Sequence, residues 1–264
     1  MFACYFTENL YFCPLDQIYL YKQKDEWLTN LDYCFVKPVR ETDKSKTEIL
    51  KQQKGVLKYT NDILTQLDVH KEDVIGFNPL IDYLNKDKNI KVSHLPFFMK
   101  AVVKILQMMP EFNSSLSNDG KELILKSYIN IGVAVDTPNG LVVPVIKDVD
   151  KKSIKQLTLE LSQLSEKARL GKLLPTEMQG GCFTISSLGG VGGTYFTPII
   201  NPPEVAIMGI SRMAIEPVFT NKKFLPRKML PFSLSYDHRV IDGVTAVKFT
   251  RAFATILEEL NSLS

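Results

Sequence analysis

The run Phe232-Ser233-Leu234-Ser235-Tyr236-Asp237-His238-Arg239-Val240-Ile241-Asp242-Gly243 constrains this chain most, because it specifies a strand, a turn and a helix start in one stretch. Phe232, Leu234 and Tyr236 alternate with polar residues, the pattern of a strand with one face in a core. Asp242-Gly243 breaks the alternation. Ala246, Phe249, Phe253, Ile256, Leu257 and Leu260 then recur at helical spacing, so residues 245–263 are predicted to close the chain as an amphipathic helix. The turn holds His238 at a strand end, where a rigid element can present a base to a substrate.

The chain upstream supplies partners for that strand and helix. From Ser93, Pro96 suits a first helical turn, Phe98, Val102, Ile105, Leu106 and Met109 mark one face, and Pro110 closes the helix. Asn118-Asp119-Gly120 is a turn, Glu122 to Lys126 a short strand, and Ile129, Ile131, Val133 and Val135 alternate as another. Pro138-Asn139-Gly140 turns into Leu141 to Ile146, a near-continuous apolar run predicted as a strand buried on both faces, which Pro144 places near an edge or bulge. Ser153 is a good N-cap for a helix with Ile154, Leu157, Leu161, Leu164 and Ala168 on one stripe, ending near Gly171. Cys182 to Ser186, Val205 to Ile210 and Met229 to Tyr236 read as further strands, and Ser187 to Thr194 as a glycine-rich loop. Strands and helices mix without strict alternation, which predicts an α/β protein of α+β type: a mixed β-sheet with helices packed on it. Residues 1 to about 75 are rich in aromatics without a clean period; 1–35 stay unassigned, and 44–67 favour helix.

Composition removes several function classes. With 32 basic and 29 acidic residues the net charge is only +3, too balanced to hold a nucleic acid, and none is expected as a partner. Lys100 and Lys104 interrupt the longest apolar helical run, so no membrane association is expected. Glu8 and Asp16 in the first twenty residues do not suit a signal peptide. Cys4, Cys13, Cys34 and Cys182 lack C-x-x-C spacing, which points to a reduced intracellular compartment and to no metal site.

Three histidines are present. His70 lies in a polar stretch and reads as solvated surface, while His94 precedes a helix and reads as capping or packing. For His238 two readings stand side by side. Either Asp242 caps the last helix and His238 is an ordinary strand-end residue, or His238 is a general base, since its unperturbed pKa of about 6.5 suits proton transfer near neutrality. The loop 187–194 has neither the G-x-x-x-x-G-K-[ST] nor the G-x-G-x-x-G spacing, which argues against a nucleotide cradle. A strand-end serine, Ser186 or Ser187, could instead offer a hydroxyl to a developing oxyanion.

Three segments in this order, Gly180-Gly181-Cys182-Phe183-Thr184-Ile185-Ser186-Ser187-Leu188-Gly189-Gly190, Asn201-Pro202-Pro203-Glu204-Val205-Ala206-Ile207-Met208-Gly209-Ile210 and Ser235 to Gly243, resemble the catalytic domain of the 2-oxoacid dehydrogenase acyltransferases. Pro110 to Leu116 and Ile129 to Val145 extend the resemblance, which covers residues 90–264, fades upstream, and assigns 36–264 to one catalytic domain. It implies a chloramphenicol-acetyltransferase-like fold assembled as a homotrimer, trimers building a larger hollow core, and active sites at subunit interfaces. His238 matches the family's general base, Ser186 its oxyanion-stabilising hydroxyl supplied by the neighbouring subunit, and Asp242 a position that organises the site. The implied reaction moves an acetyl group between dihydrolipoamide and coenzyme A, both substrates, in the bacterial cytoplasm. Lipoyl domains and the decarboxylase and dihydrolipoamide dehydrogenase components of a pyruvate dehydrogenase complex are the implied partners. A free-standing small-molecule acetyltransferase and a non-catalytic assembly subunit are the competing readings. No lipoyl domain, Ala/Pro-rich linker or partner-binding domain is recognisable ahead of the core. Glu41-Thr42-Asp43-Lys44-Ser45 bears a faint likeness to a lipoyl-attachment motif but equally suits a connection into the catalytic domain, so Lys44 is not counted as a site residue.

Overall fold

The computed structural model describes residues 3–11, 81, 85, 91–220 and 223–261. The predicted helix over 44–67, His70 and Lys44 lie outside them. In chain order the main elements are β1 (Ala3–Tyr11), α1 (Leu95–Met108), β2 (Ser114–Leu116), β3 (Leu123–Leu125), β4 (Ile131–Val133), β5 (Val135–Thr137), β6 (Gly140–Val142) and β7 (Val145–Ile146). They continue with α2 (Ile154–Arg169), β8 (Phe183–Ser187), β9 (Ala206–Ile210), β10 (Ala214–Thr220), β11 (Lys223–Asp237) and α3 (Gly243–Asn261).

One sheet carries the domain, in the order β1-β11-β9-β8-β4-β7 with β10 also on β11. β4, β8 and β9 run parallel, whereas β11 is antiparallel to β9 and β7 to β4, so the sheet is mixed as expected. Register explains its two faces, because residues paired across strands share a side. Val133, Ile185, Met208 and Leu234 form one row, all apolar and buried. The next rows, on the opposite face, are Gly132, Thr184, Ile207 and Ser235, then Ser186, Gly209 and Ser233. One face is therefore a core wall and the other is lined by hydroxyls and glycines.

The helices cover the apolar face. Phe249 and Phe253 of α3 have no exposed surface; Phe249 lies with its ring centroid 5.5 Å from Phe183 and 4.5 Å from Phe112, and Phe253 lies 5.1 Å from Phe232 and 6.0 Å from Phe98. α2 begins on a capping box: Ser153 Oγ accepts from Gln156 N–H and the Gln156 side chain accepts from Ser153 N–H. Its predicted stripe is buried at Ile154, Leu157, Leu164 and Ala168. Lys100 of α1 is buried among core residues, yet its ammonium donates to the carbonyls of Val149 and Asp150 at 3.1 Å each; burial lowers its pKa.

Two predicted strands are each broken in two. The run 129–135 divides at Ala134 into β4 and β5, and 141–146 divides at Val143-Pro144 into β6 and β7. β5 and β6 form a separate hairpin, β7 is the sheet edge, and Leu141 is 67% exposed, so the apolar run does not make a strand buried on both faces. Three strands were not foreseen: β2, which pairs with β3, and two on the main sheet. β1 pairs along β11 from Ala3 opposite Asp237 to Tyr11 opposite Met229, covering an edge of that strand. β10 pairs with a part of β11 that extends to Lys223, well before the predicted Met229.

Candidate active site

β8 and β9 are parallel, so residues 188–205 must cross the sheet between the end of one strand and the start of the next. They return over the polar face. Phe196 lies on Gly209, where an added Cβ would stand 2.8 Å from the ring, and the Phe196 carbonyl accepts from Ser233 Oγ at 2.7 Å. Glycine at 209 leaves the room that this crossing needs. Ser186, half-buried, shares the row of Gly209 and Ser233, whereas the exposed Ser187 sits one residue on, on the other side of the strand.

β11 ends at Asp237, whose N–H donates to the Val205 carbonyl at 2.8 Å, and a tight turn follows. Val240 and Ile241 N–H both donate to the Asp237 carbonyl at 3.0 Å. Arg239 donates to the Asp237 carboxylate through its backbone N–H and its Nε, at 3.0 Å each, and through Nη2 at 2.5 Å. The Arg239 guanidinium holds the Asp237 carboxyl below the usual carboxylate range, with its N–H adding to the effect. This pair fixes the turn and leaves the His238 side chain exposed, its ring 5.7 Å from that of the buried Tyr236.

Asp242 serves the helix. Its Oδ1 accepts from Thr245 N–H at 2.7 Å, and that bond, the first cause, keeps its pKa low. Among the described residues no hydrogen bond joins it to His238. Asp242→Asn is expected to leave thermal stability unchanged, and Asp242→Ala to lower the melting temperature by roughly 2–4 °C, readable by circular dichroism. His94 has the packing role read for it: it makes no side-chain cap and its ring stacks 6.1 Å from Phe98.

The sheet separates Ser186 from His238. β8 and β11 run in opposite directions, so their C-terminal ends lie at opposite ends of the sheet. Ser186 is level with Ser233, five residues before His238 and two strands away, which by strand geometry is a separation of roughly 19 Å. One copy of this chain holds the two residues apart across the sheet. Alternation could have revealed the polar face, but register across three strands was needed to see this separation.

The chain therefore joins a mixed sheet with helices on one face to a long crossing on the other and a histidine turn at one end. Residues 56–264 match the 2-oxoacid dehydrogenases acyltransferase (catalytic domain) family, and the chain belongs to it. It is 58% identical over 174 residues to the dihydrolipoyllysine-residue acetyltransferase component of the pyruvate dehydrogenase complex of Haemophilus influenzae, covering 66% of this chain and 31% of that protein. The chain thus spans about a third of the length of such relatives. Among solved structures, the dihydrolipoamide acetyltransferase of Azotobacter vinelandii matches with a TM-score of 0.67 at 39% identity, over 86% of this chain and 99% of that one. That structure accompanies an investigation of a serine, a histidine and an asparagine in its catalytic mechanism; the serine lies 52 residues before the histidine and the asparagine four after it. The cubic core of the pyruvate dehydrogenase multienzyme complex matches with a TM-score of 0.66 at 40% identity, over 86% and 99%.

Proposed function

We propose that this chain transfers an acetyl group between dihydrolipoamide and coenzyme A, with His238 as base and Ser186 as the oxyanion donor. One observation carries the reading most: the offsets of 52 and four residues in the Azotobacter enzyme recur here between Ser186, His238 and Asp242. The third position differs, aspartate standing for asparagine, and either side chain can cap a helix.

A thiol of pKa about 8.5 is mostly protonated at neutral pH and is a poor nucleophile until a base takes its proton. His238, exposed at a rigid turn, takes the proton from coenzyme A. The sulfur attacks the thioester carbonyl of acetyl-dihydrolipoamide, a new C–S bond forms, and the charge moves to oxygen. The Ser186 hydroxyl donates to that oxygen and is worth about 3 kcal/mol of barrier. Collapse breaks the old C–S bond, and the leaving sulfur recovers the proton from His238.

Because one chain holds the two residues far apart, each site takes His238 from one copy and Ser186 from the next in a homotrimer. The single chain exposes Ile199 at 87%, together with Val191, Leu141 and Val244, apolar surface that an assembly would cover. Such trimers would form a larger core served by lipoyl domains and by the decarboxylase and dihydrolipoamide dehydrogenase components. Bacterial cytoplasm is the proposed location. No helix among the described residues is long and apolar enough to cross a membrane.

The test is acetyl transfer from acetyl-dihydrolipoamide to coenzyme A, followed as thioester formation, beside acetyl transfer to small hydroxyl acceptors. Turnover with the dithiol and not with the hydroxyl acceptors is expected. The reverse preference rejects the proposal in favour of a free-standing acetyltransferase.

A further inference from the structure

Beside the catalytic turn, the polar face of the sheet holds a group that the proposed mechanism leaves unused. Glu204 is buried, at 5% exposure, and its Oε2 has no hydrogen-bond partner. Its Oε1 lies 2.5 Å from where a Cβ on Gly181 would stand, so the carboxyl fills the side-chain space of that position. Asn201 Nδ2 donates to Oε1 at 3.5 Å, and Glu204 N–H donates to the Asn201 carbonyl at 3.0 Å. The Gly181 carbonyl accepts from Lys126 Nζ at 3.1 Å, which engages the nearby cation with the backbone. The next residue, Val205, supplies the carbonyl that accepts from Asp237 N–H, the last bond before the histidine turn.

We infer that Glu204 is a positioning residue: its carboxyl, seated over Gly181, locks the start of β9 to the segment leading into β8, and through Val205 and Asp237 fixes the height of the His238 turn. The inference rests on the proposed role of His238. The groups facing the carboxyl are Lys126 beyond β3, Cys182 before β8, and the uncharged Asn201 and Thr184. Burial pushes the Glu204 pKa from 4.5 up to about 7, against the pull of the Thr184 hydroxyl, Asn201 and Lys126. Thr184 Oγ1 is also buried without a partner. A protonated Glu204 can donate to it, whereas ionisation leaves a buried charge that Thr184, Asn201 and Lys126 offset only in part.

The sign of the pH dependence follows. The folded chain keeps this proton between pH 4.5 and about 7, where the unfolded chain has lost it. The stabilisation is complete below 4.5, falls as pH rises to about 7 and is level above. Glu204→Gln keeps the shape and a donor but has no proton to lose. Two measurements on wild type and Glu204→Gln test this, melting temperature against pH and acetyl transfer against pH. The wild type is expected to lose melting temperature across that window relative to the variant. The variant-to-wild-type ratio of kcat/KM is expected to rise by about tenfold from pH 6 to pH 8. Glu204→Ala should lose activity throughout, with Gln restoring it. An identical pH dependence of wild type and Glu204→Gln in either measurement overturns the inference. If neither protein transfers acetyl at any pH, the functional reading fails, and the melting comparison decides the role of Glu204 alone.

Discussion

Replacing His238 with alanine is expected to lower acetyl transfer by about 10²–10⁴-fold, the usual contribution of a positioned base, with the oligomer intact. Ser186→Ala is expected to cost about 10²–10³-fold, the usual loss of one oxyanion donor. The more telling result comes from combining them. Co-expression of the two inactive chains in equal amounts should restore about a quarter of the wild-type rate, because in a ring of three each site joins unlike surfaces of neighbouring copies. A site is competent when the copy giving histidine carries the serine mutation and its neighbour carries the histidine mutation. Random assembly puts that pair at about one site in four. The expectation rests on the antiparallel relation of β11 to β9 and the parallel relation of β8 to β9, which send the two residues to opposite ends of one sheet. Steady-state rates of the separate and co-expressed proteins, with mass measured in solution, check it. If both residues acted within one chain, co-expression would restore nothing.

What the sequence discloses and what it hides divide along physical lines. The strand ending at Asp237, the stripe of α3 and the cap of α2 were legible because each depends on local periodicity or on a side chain bonding its own backbone. The breaks at Ala134 and at Val143-Pro144 were hidden, because an apolar run has the same composition whether it stays in one sheet or leaves it for a hairpin. β10 and the start of β11 carry residues that speak against a strand: Pro217 and Pro226 stand opposite each other, and proline in a sheet is confined mainly to edges and bulges. At the site, the histidine turn and the serine strand were both visible, as were the two readings of Asp242, of which the cap is the one the hydrogen bonds support. Glu204 had no local signal. Its seat over Gly181 joins segments that are distant in sequence, and only the folded register brings them together.

Phe249→Ala is expected to destabilise the domain by about 3–5 kcal/mol, a large share of the total for a domain this size. The ring is fully buried and touches two elements at once, Phe112 after α1 and Phe183 in β8, so its removal loosens α3 from both. Phe183 lies three residues before Ser186, and α3 begins just past the His238 turn, so the same cluster props both halves of the proposed site. Urea unfolding should show the midpoint falling with little change in slope, since the surface exposed on unfolding is nearly the same. Lys248, exposed on the adjoining position of α3, is the control: Lys248→Ala is expected to move stability by no more than about 0.5 kcal/mol. The contrast separates packing from helix propensity, because alanine is the better helix former at both positions and propensity alone would make both changes neutral or stabilising. A loss at Phe249 with none at Lys248 therefore assigns the stability of α3 to its seat on the sheet, the same seat that sets where its first turn, and with it Asp242, meets the end of β11.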